Sequence, residues 1–244
     1  MKVALVCIAK NEDFYIEEWI RYHLRIGFDT VFVYENNWRC SFSHSNIIKI
    51  PFDGETKQVE AYNNFIKKYH DEYQWAAFFD VDEFLVLKKH KNIKEFINDY
   101  NYANGIAVNW VLFGNNGIDK INGEYSVLKR FTKRQIDTNL HIKSIIKLNA
   151  NVEMNVHKPD KISIIDTNGT NVTEPLHNGP TDVCQLNHYF VKTREEFELK
   201  INRGRADISS KRKMEEFDPH NYNEIEDLTA YNFYFNDYNN LLNS

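Results

Sequence analysis

Four short apolar runs, at residues 3–9, 30–34, 46–51 and 75–79, dominate the first third of this chain. The first of them, Val3 to Ala9, is continuously apolar, the mark of a strand buried on both faces. Between the runs the apolar residues change to helical spacing. Phe14, Ile16, Trp19, Ile20, His23 and Leu24 share one such face and end at Gly27, a good helix stop; Val59, Tyr62, Phe65, Ile66 and Tyr69 share another. Strands alternating with helices in this way predict a mostly parallel sheet flanked by helices.

The rhythm changes after residue 82. Residues 83–87 are short and apolar, 93–100 read as a helix and 105–113 as a strand. Shorter β-like runs follow at 125–133, 142–148, 152–156, 162–166 and 183–191, then a last helix from about Thr193 to Arg203. The tail from Asp218 is acidic, rich in Asn and Tyr, and weakly periodic. No internal repeat or Pro/Gly-rich linker divides the 244 residues. A chain of this length suits one α/β domain. We expect a nucleotide-binding half (1–87), a smaller β-rich acceptor half (88–207) and a C-terminal extension (208–244).

Thirty Lys and Arg against 35 Asp and Glu give a formal net charge of −5, without the basic excess of a nucleic-acid binder. The run from Val3 to Ala9 is too short for a secretory signal or for a membrane span, which needs ~20 apolar residues. Cys7, Cys40 and Cys184 are odd in number and widely spaced, fitting buried thiols in a reducing compartment. The expectation is a protein of the cytoplasm or of the inner face of the membrane, with no transmembrane segment and no nucleic-acid partner.

The fourth apolar run ends in Asp80, Asp82 and Glu83. Ligands of open α/β sheets bind beyond the carboxyl ends of the strands. Aspartates at i and i+2 project to one side of an extended chain and offer hard oxygen ligands to Mn²⁺ or Mg²⁺. A solvated strand end would look the same in isolation; the buried strand before it and the apolar stretch after it favour a site.

With these pieces the chain resembles GT-A glycosyltransferases, especially small family-2-like and family-92-like enzymes. The matching segments are Cys7-Ile8-Ala9-Lys10-Asn11-Glu12, Val33-Tyr34-Glu35-Asn36, Lys57-Gln58-Val59-Glu60-Ala61-Tyr62-Asn63 and Phe79-Asp80-Val81-Asp82-Glu83-Phe84. Asn109-Trp110-Val111-Leu112-Phe113-Gly114 and Leu186-Asn187-His188-Tyr189-Phe190 complete them, in order. The resemblance implies a GT-A fold and transfer of a sugar from a nucleotide-diphosphate donor, a UDP-sugar, to a glycan or glycolipid hydroxyl. It implies that Ala9, Asn11 and Glu12 border the base, and that Glu35 stands where such enzymes carry a base- or ribose-contacting Asp. Gln58 and Asn63 would lie over the nucleotide, Asp80 would touch ribose or sugar, Asp82 would join it in holding the metal, and Lys143 would meet the diphosphate.

A third metal ligand is expected from a late histidine. His157, between a β-like run and a loop, is the first candidate and His188 its rival; His188 otherwise borders the acceptor. An inverting enzyme also needs a base for the acceptor hydroxyl. Asp119, in the glycine-containing loop after residue 113, is the candidate and Glu124 the next. A retaining enzyme would need neither. Trp110 offers a ring face for a sugar, or belongs to the core. Two rival functions remain: another metal-dependent nucleotide enzyme, such as a nucleotidyltransferase or phosphatase, and a non-catalytic carbohydrate-binding protein on the same fold. The glycine-free Ala9-Lys10-Asn11-Glu12 turn counts against the first, and the paired aspartates against the second.

Overall fold

The computed structural model describes residues 1–236. Its elements run β1 (Val3–Ala9), α1 (Ile16–Ile26), β2 (Thr30–Glu35), β3 (Ile47–Pro51), α2 (Gln58–Tyr69), β4 (Trp75–Phe78), β5 (Glu83–Leu87) and α3 (Ile93–Asp99). There follow β6 (Gly105–Leu112), α4 (Val127–Arg130), β7 (Lys133–Arg134), β8 (Ile142–Lys147), β9 (Ile164–Ile165), β10 (Asn171–Val172), β11 (Cys184–His188) and α5 (Arg194–Arg203). Short 3₁₀ turns, β12 (Ile225–Glu226) and α6 (Thr229–Tyr231) close the described chain.

One ten-stranded sheet has the order β10-β9-β6-β8-β4-β1-β2-β3, with β11 pairing both β6 and β5. Strands β3, β2, β1 and β4 are parallel, each paired to the next. Strand β8 runs against both β4 and β6, so β6 returns to the common direction. The expected nucleotide and acceptor halves therefore share one central, mostly parallel sheet. Every residue of β1 is buried, as its unbroken apolar run requires. Apolar clusters cover both faces: Trp19, Ile20 and Tyr22 of α1 pack on one, and Tyr62, Phe65 and Ile66 of α2 on the other. Each such side chain removed from water contributes about 1.5–3 kcal/mol. Helix α1 stops at Gly27, whose φ of +106° is the left-handed cap that glycine supplies without strain.

Two sequence expectations need correction. The run 125–133 is not a strand: Ser126 accepts from the Lys129 amide and caps the short helix α4. The run 152–156 forms only the isolated bridge Met154–Pro159. Asn63 clamps it instead, donating to the Met154 carbonyl and accepting from its amide, both at 2.8 Å. The weakly periodic tail is packed as far as residue 236: β12 pairs β7, and Ala230 and Phe233 join the core. The last eight positions of the expected C-terminal extension lie outside the described residues. No helix among the described residues is long and apolar enough to cross a membrane.

Candidate functional site

A cleft opens beyond the carboxyl ends of β1 and β4, where the loop after β4 presents Asp80-Val81-Asp82. Ala9, Glu12, Gln58, Trp110, His157 and His188 line it together with Asp80 and Asp82. Eight of the residues singled out in the sequence are thus brought together.

Each aspartate is held by cations. Asp80 accepts from Gln58 Nε2 at 2.7 Å and from Lys143 Nζ at 3.0 Å. Lys143 does not line the cleft. It is fully buried, and although burial opposes its charge, Asp80 and Glu83 outweigh burial and keep it protonated. It neutralises Asp80 from behind, where the sequence suggested a diphosphate contact. Burial pushes the neighbouring Glu83 carboxyl well above its ordinary range. Asp82, 7% exposed, accepts from Lys200 Nζ at 2.7 Å and lies 3.5 Å from His188 Nε2. Burial would raise its pKa, yet Lys200, His188 and Lys192 prevail and hold it well below the carboxylate range.

The aspartates and a histidine suit a metal, given the donor set. No three His, Cys, Asp or Glu side chains among the described residues could hold an ion by themselves. Asp80, Asp82 and His188 nevertheless border one cleft, and a hard cation held by one or two carboxylates ordinarily completes its shell with phosphate oxygens and water. A metal at these residues would therefore have to share its coordination with a bound diphosphate. His188, on β11, is the imidazole in contact with Asp82; His157 instead turns its Nδ1 to the Ile142 carbonyl at 2.9 Å. Burial lowers both histidines to about 4, so both are neutral at neutral pH.

Besides Lys143, four expected site residues fall outside the cleft lining. Asn11 is exposed beside it. Glu35 is spent on its own loop, accepting from the Cys40 amide at 2.9 Å and facing Arg39 at 3.9 Å. Asn63 is the clamp on Met154 described above. Asp119 is exposed, on a loop tied to α5 through the Glu195 amide, so it is no longer the candidate base. Glu124, the next choice, bonds the Ser126 amide and Lys129 instead.

Sequence reading missed one wall of the cleft: Lys200, Arg203, Arg205 and Arg212, with His141 and His220 nearby. The Arg203-Gly204-Arg205 triplet at the end of the last helix was the available signal. Three buried polar atoms of lining residues have no protein partner. They are Glu12 Oε2, whose other oxygen takes Arg203, Trp110 Nε1 and His188 Nδ1. A buried polar atom left unpaired costs ~1–3 kcal/mol unless something completes it. Trp110 is stacked on His141, ring centroids 4.8 Å apart, and lies 4.2 Å from the His188 ring.

The model of glycosyltransferase family 92 matches residues 54–229. A glycosyltransferase family 92 protein of Ricinus communis is 24% identical over 221 residues, covering 83% of this chain and 38% of its own length. One from Arabidopsis thaliana is 24% identical over 157 residues, 56% of this chain and 27% of its own. The chain thus spans well under half the length of these relatives. Among solved structures, S. aureus TarS 1–349 in complex with UDP-GlcNAc superposes with a TM-score of 0.38 and 16% identity, over 60% of this chain and 45% of that one.

Proposed function

Because the chain belongs to glycosyltransferase family 92, we propose that it moves a sugar from a nucleotide-diphosphate donor, a UDP-sugar, to a hydroxyl of a glycan or glycolipid, with inversion. The observation that carries this reading is the cleft itself. A carboxylate pair at the end of β4 shares the cleft with an unpaired buried carboxylate oxygen, Glu12 Oε2, and an unpaired indole N–H, Trp110 Nε1. Glu12 Oε2 suits an N–H or hydroxyl of the nucleoside; Trp110 offers its ring face and N–H to a sugar hydroxyl.

Asp80, Asp82 and His188 would hold Mn²⁺, or Mg²⁺ in its place. The ion would supply positive charge as the sugar–phosphate bond breaks and charge gathers on the leaving diphosphate. Lys143 and Gln58 hold the Asp80 carboxylate in place at the cleft. An inverting course needs an acceptor for the hydroxyl proton. The lining carboxylates, Glu12, Asp80, Asp82, Asp207 and Glu216, each face a cation within 4 Å. His141 is better placed: its Nδ1–H donates to Asn139 Oδ1 at 2.9 Å, which leaves Nε2 free as a proton acceptor beside Trp110. Burial, His220 and Lys143 lower its pKa, so it is unprotonated at neutral pH.

A panel of nucleotide sugars, assayed for release of nucleoside diphosphate with Mn²⁺, tests the proposal. Release of UDP that EDTA abolishes and Asp82→Asn removes is the expected result. A folded protein that neither binds nor cleaves any nucleotide sugar would end this reading.

A further inference from the structure

The wall missed in the sequence carries cations that the reaction above does not use. Lys200 and Arg203 sit in the last turn of α5, and Arg212 lies on the segment that follows. Lys200 Nζ crosses the Phe190 ring, 4.2 Å from its centroid, to reach Asp82. The Arg212 guanidinium lies 4.7 Å from the same ring. Arg203 reaches the Lys10 carbonyl at 3.2 Å and pairs with Glu12. At Gly204 the chain turns with φ +83° and ψ −170°, and the Ala206 carbonyl then accepts from the Gln58 amide at 3.0 Å. This strap therefore borders the cleft beside Gln58.

Three cations gathered on one wall repel one another. Burial together with Arg212 lowers Arg203 to about 10. The carboxylate partners do not consume the cluster's capacity. Arg212 meets Glu216 only at 3.6 Å, and Arg203 has a single side-chain partner for its five-donor fork. Such an arrangement is costly when empty and favourable around an anion with several oxygens, the geometry that a guanidinium fork matches.

We propose that Lys200, Arg203 and Arg212 form a clamp that grips a diphosphate directly, beside Asp82, and holds it without any divalent cation. Assigning that diphosphate to a nucleotide-sugar donor rests on the function proposed above; the anion site does not.

Inorganic pyrophosphate titrated calorimetrically in EDTA is the test, with UDP and Mn²⁺ measured in parallel. Saturable pyrophosphate binding that weakens as salt rises is expected. Arg212→Gln should weaken it at least ~10-fold, about the loss of one charge-assisted phosphate contact. Arg212→Lys should retain part of the affinity. Arg194→Gln removes the same charge at an exposed residue outside the lining and should change nothing. Lys200→Met is a second variant, with melting temperature and circular dichroism checking that the fold survives. Pyrophosphate that fails to bind in EDTA, or binds Arg212→Gln as tightly as wild type, overturns the clamp. Pyrophosphate binding with no affinity for any nucleoside diphosphate would keep the clamp and remove the nucleotide reading.

Discussion

His188 Nε2 lies 3.5 Å from Asp82 Oδ1, while Oδ2 of the same carboxylate takes the Lys200 ammonium at 2.7 Å. Antiparallel pairing of β11 with β5 fixes this relationship, since it sets His188 opposite Glu83, one residue beyond Asp82. A neutral imidazole there can join the carboxylate on a cation without adding charge. His188→Ala should therefore weaken Mn²⁺ affinity, measured with UDP present, by at least ~10-fold, with turnover partly recovered at high Mn²⁺. His157→Ala should lower turnover or melting temperature without metal rescue. If only His157→Ala is rescued by metal, the ligand role passes to His157.

Helix α5 can present Lys200 and Arg203 only if its first turn is fixed. Thr193 caps it, and the Glu196 carboxylate fixes it by accepting from the Thr193 amide, from Tyr15 at 2.6 Å and from Arg130 in a two-pronged contact at 2.7 and 2.8 Å. Both side chains of the Arg130–Glu196 pair are 3% exposed. Arg130→Met leaves a buried carboxylate without its cation and should cost ~3–5 kcal/mol in urea unfolding. Adding Glu196→Gln should recover part of that loss. A loss under ~1 kcal/mol for Arg130→Met would mean that water already reaches the pair.

His23 lies in the core, its Nδ1–H on the Trp19 carbonyl at 2.8 Å and its Nε2 accepting from the Leu85 amide at 3.3 Å. Burial holds it down to about 3. The folded state keeps His23 neutral, whereas the unfolded chain protonates it below about 6.5. Its contribution to stability is therefore complete above pH ~6.5 and is lost as pH falls toward 3, at ~1.4 kcal/mol per pH unit for this one proton. Between pH 6.5 and 5, His23→Gln should reduce the slope of unfolding free energy against pH, even though it lowers stability throughout. An unchanged slope would place the acid-sensitive proton elsewhere.

The first half of the fold was legible because its signals are local. Continuous burial of β1 appears as an unbroken apolar run, and the left-handed cap of α1 as Gly27. The capping box of α5 is spelled by Thr193 and Glu196. The aspartates were legible for the same reason, since strand and ligands are adjacent in sequence. Residues 125–133 misled because Val127 and Phe131 resemble an alternating strand, whereas the Ser126 cap makes a helical turn. Glu35 misled because position at a strand end does not reveal that the Cys40 amide uses its carboxylate. Beyond the Arg203-Gly204-Arg205 triplet the cation wall left no local signal, because it depends on the turn at Gly204 and on Ala206 meeting Gln58, residues far apart in the chain.

That turn gives the final prediction. Gly204 adopts φ +83° with ψ −170°, a combination that side-chain-bearing residues avoid, and a Cβ there would meet nothing within 4 Å. The cost of Gly204→Ala is thus backbone strain without a clash, about 1–3 kcal/mol. It falls on the segment after α5, not on the sheet, so the strap should shift while the core remains intact. Pyrophosphate affinity in EDTA should drop several-fold with little change in melting temperature. Gly204→Ala with wild-type affinity would show that the direction of the strap does not set the positions of Arg203 and Arg212. A large fall in melting temperature would instead make this turn part of the folding core.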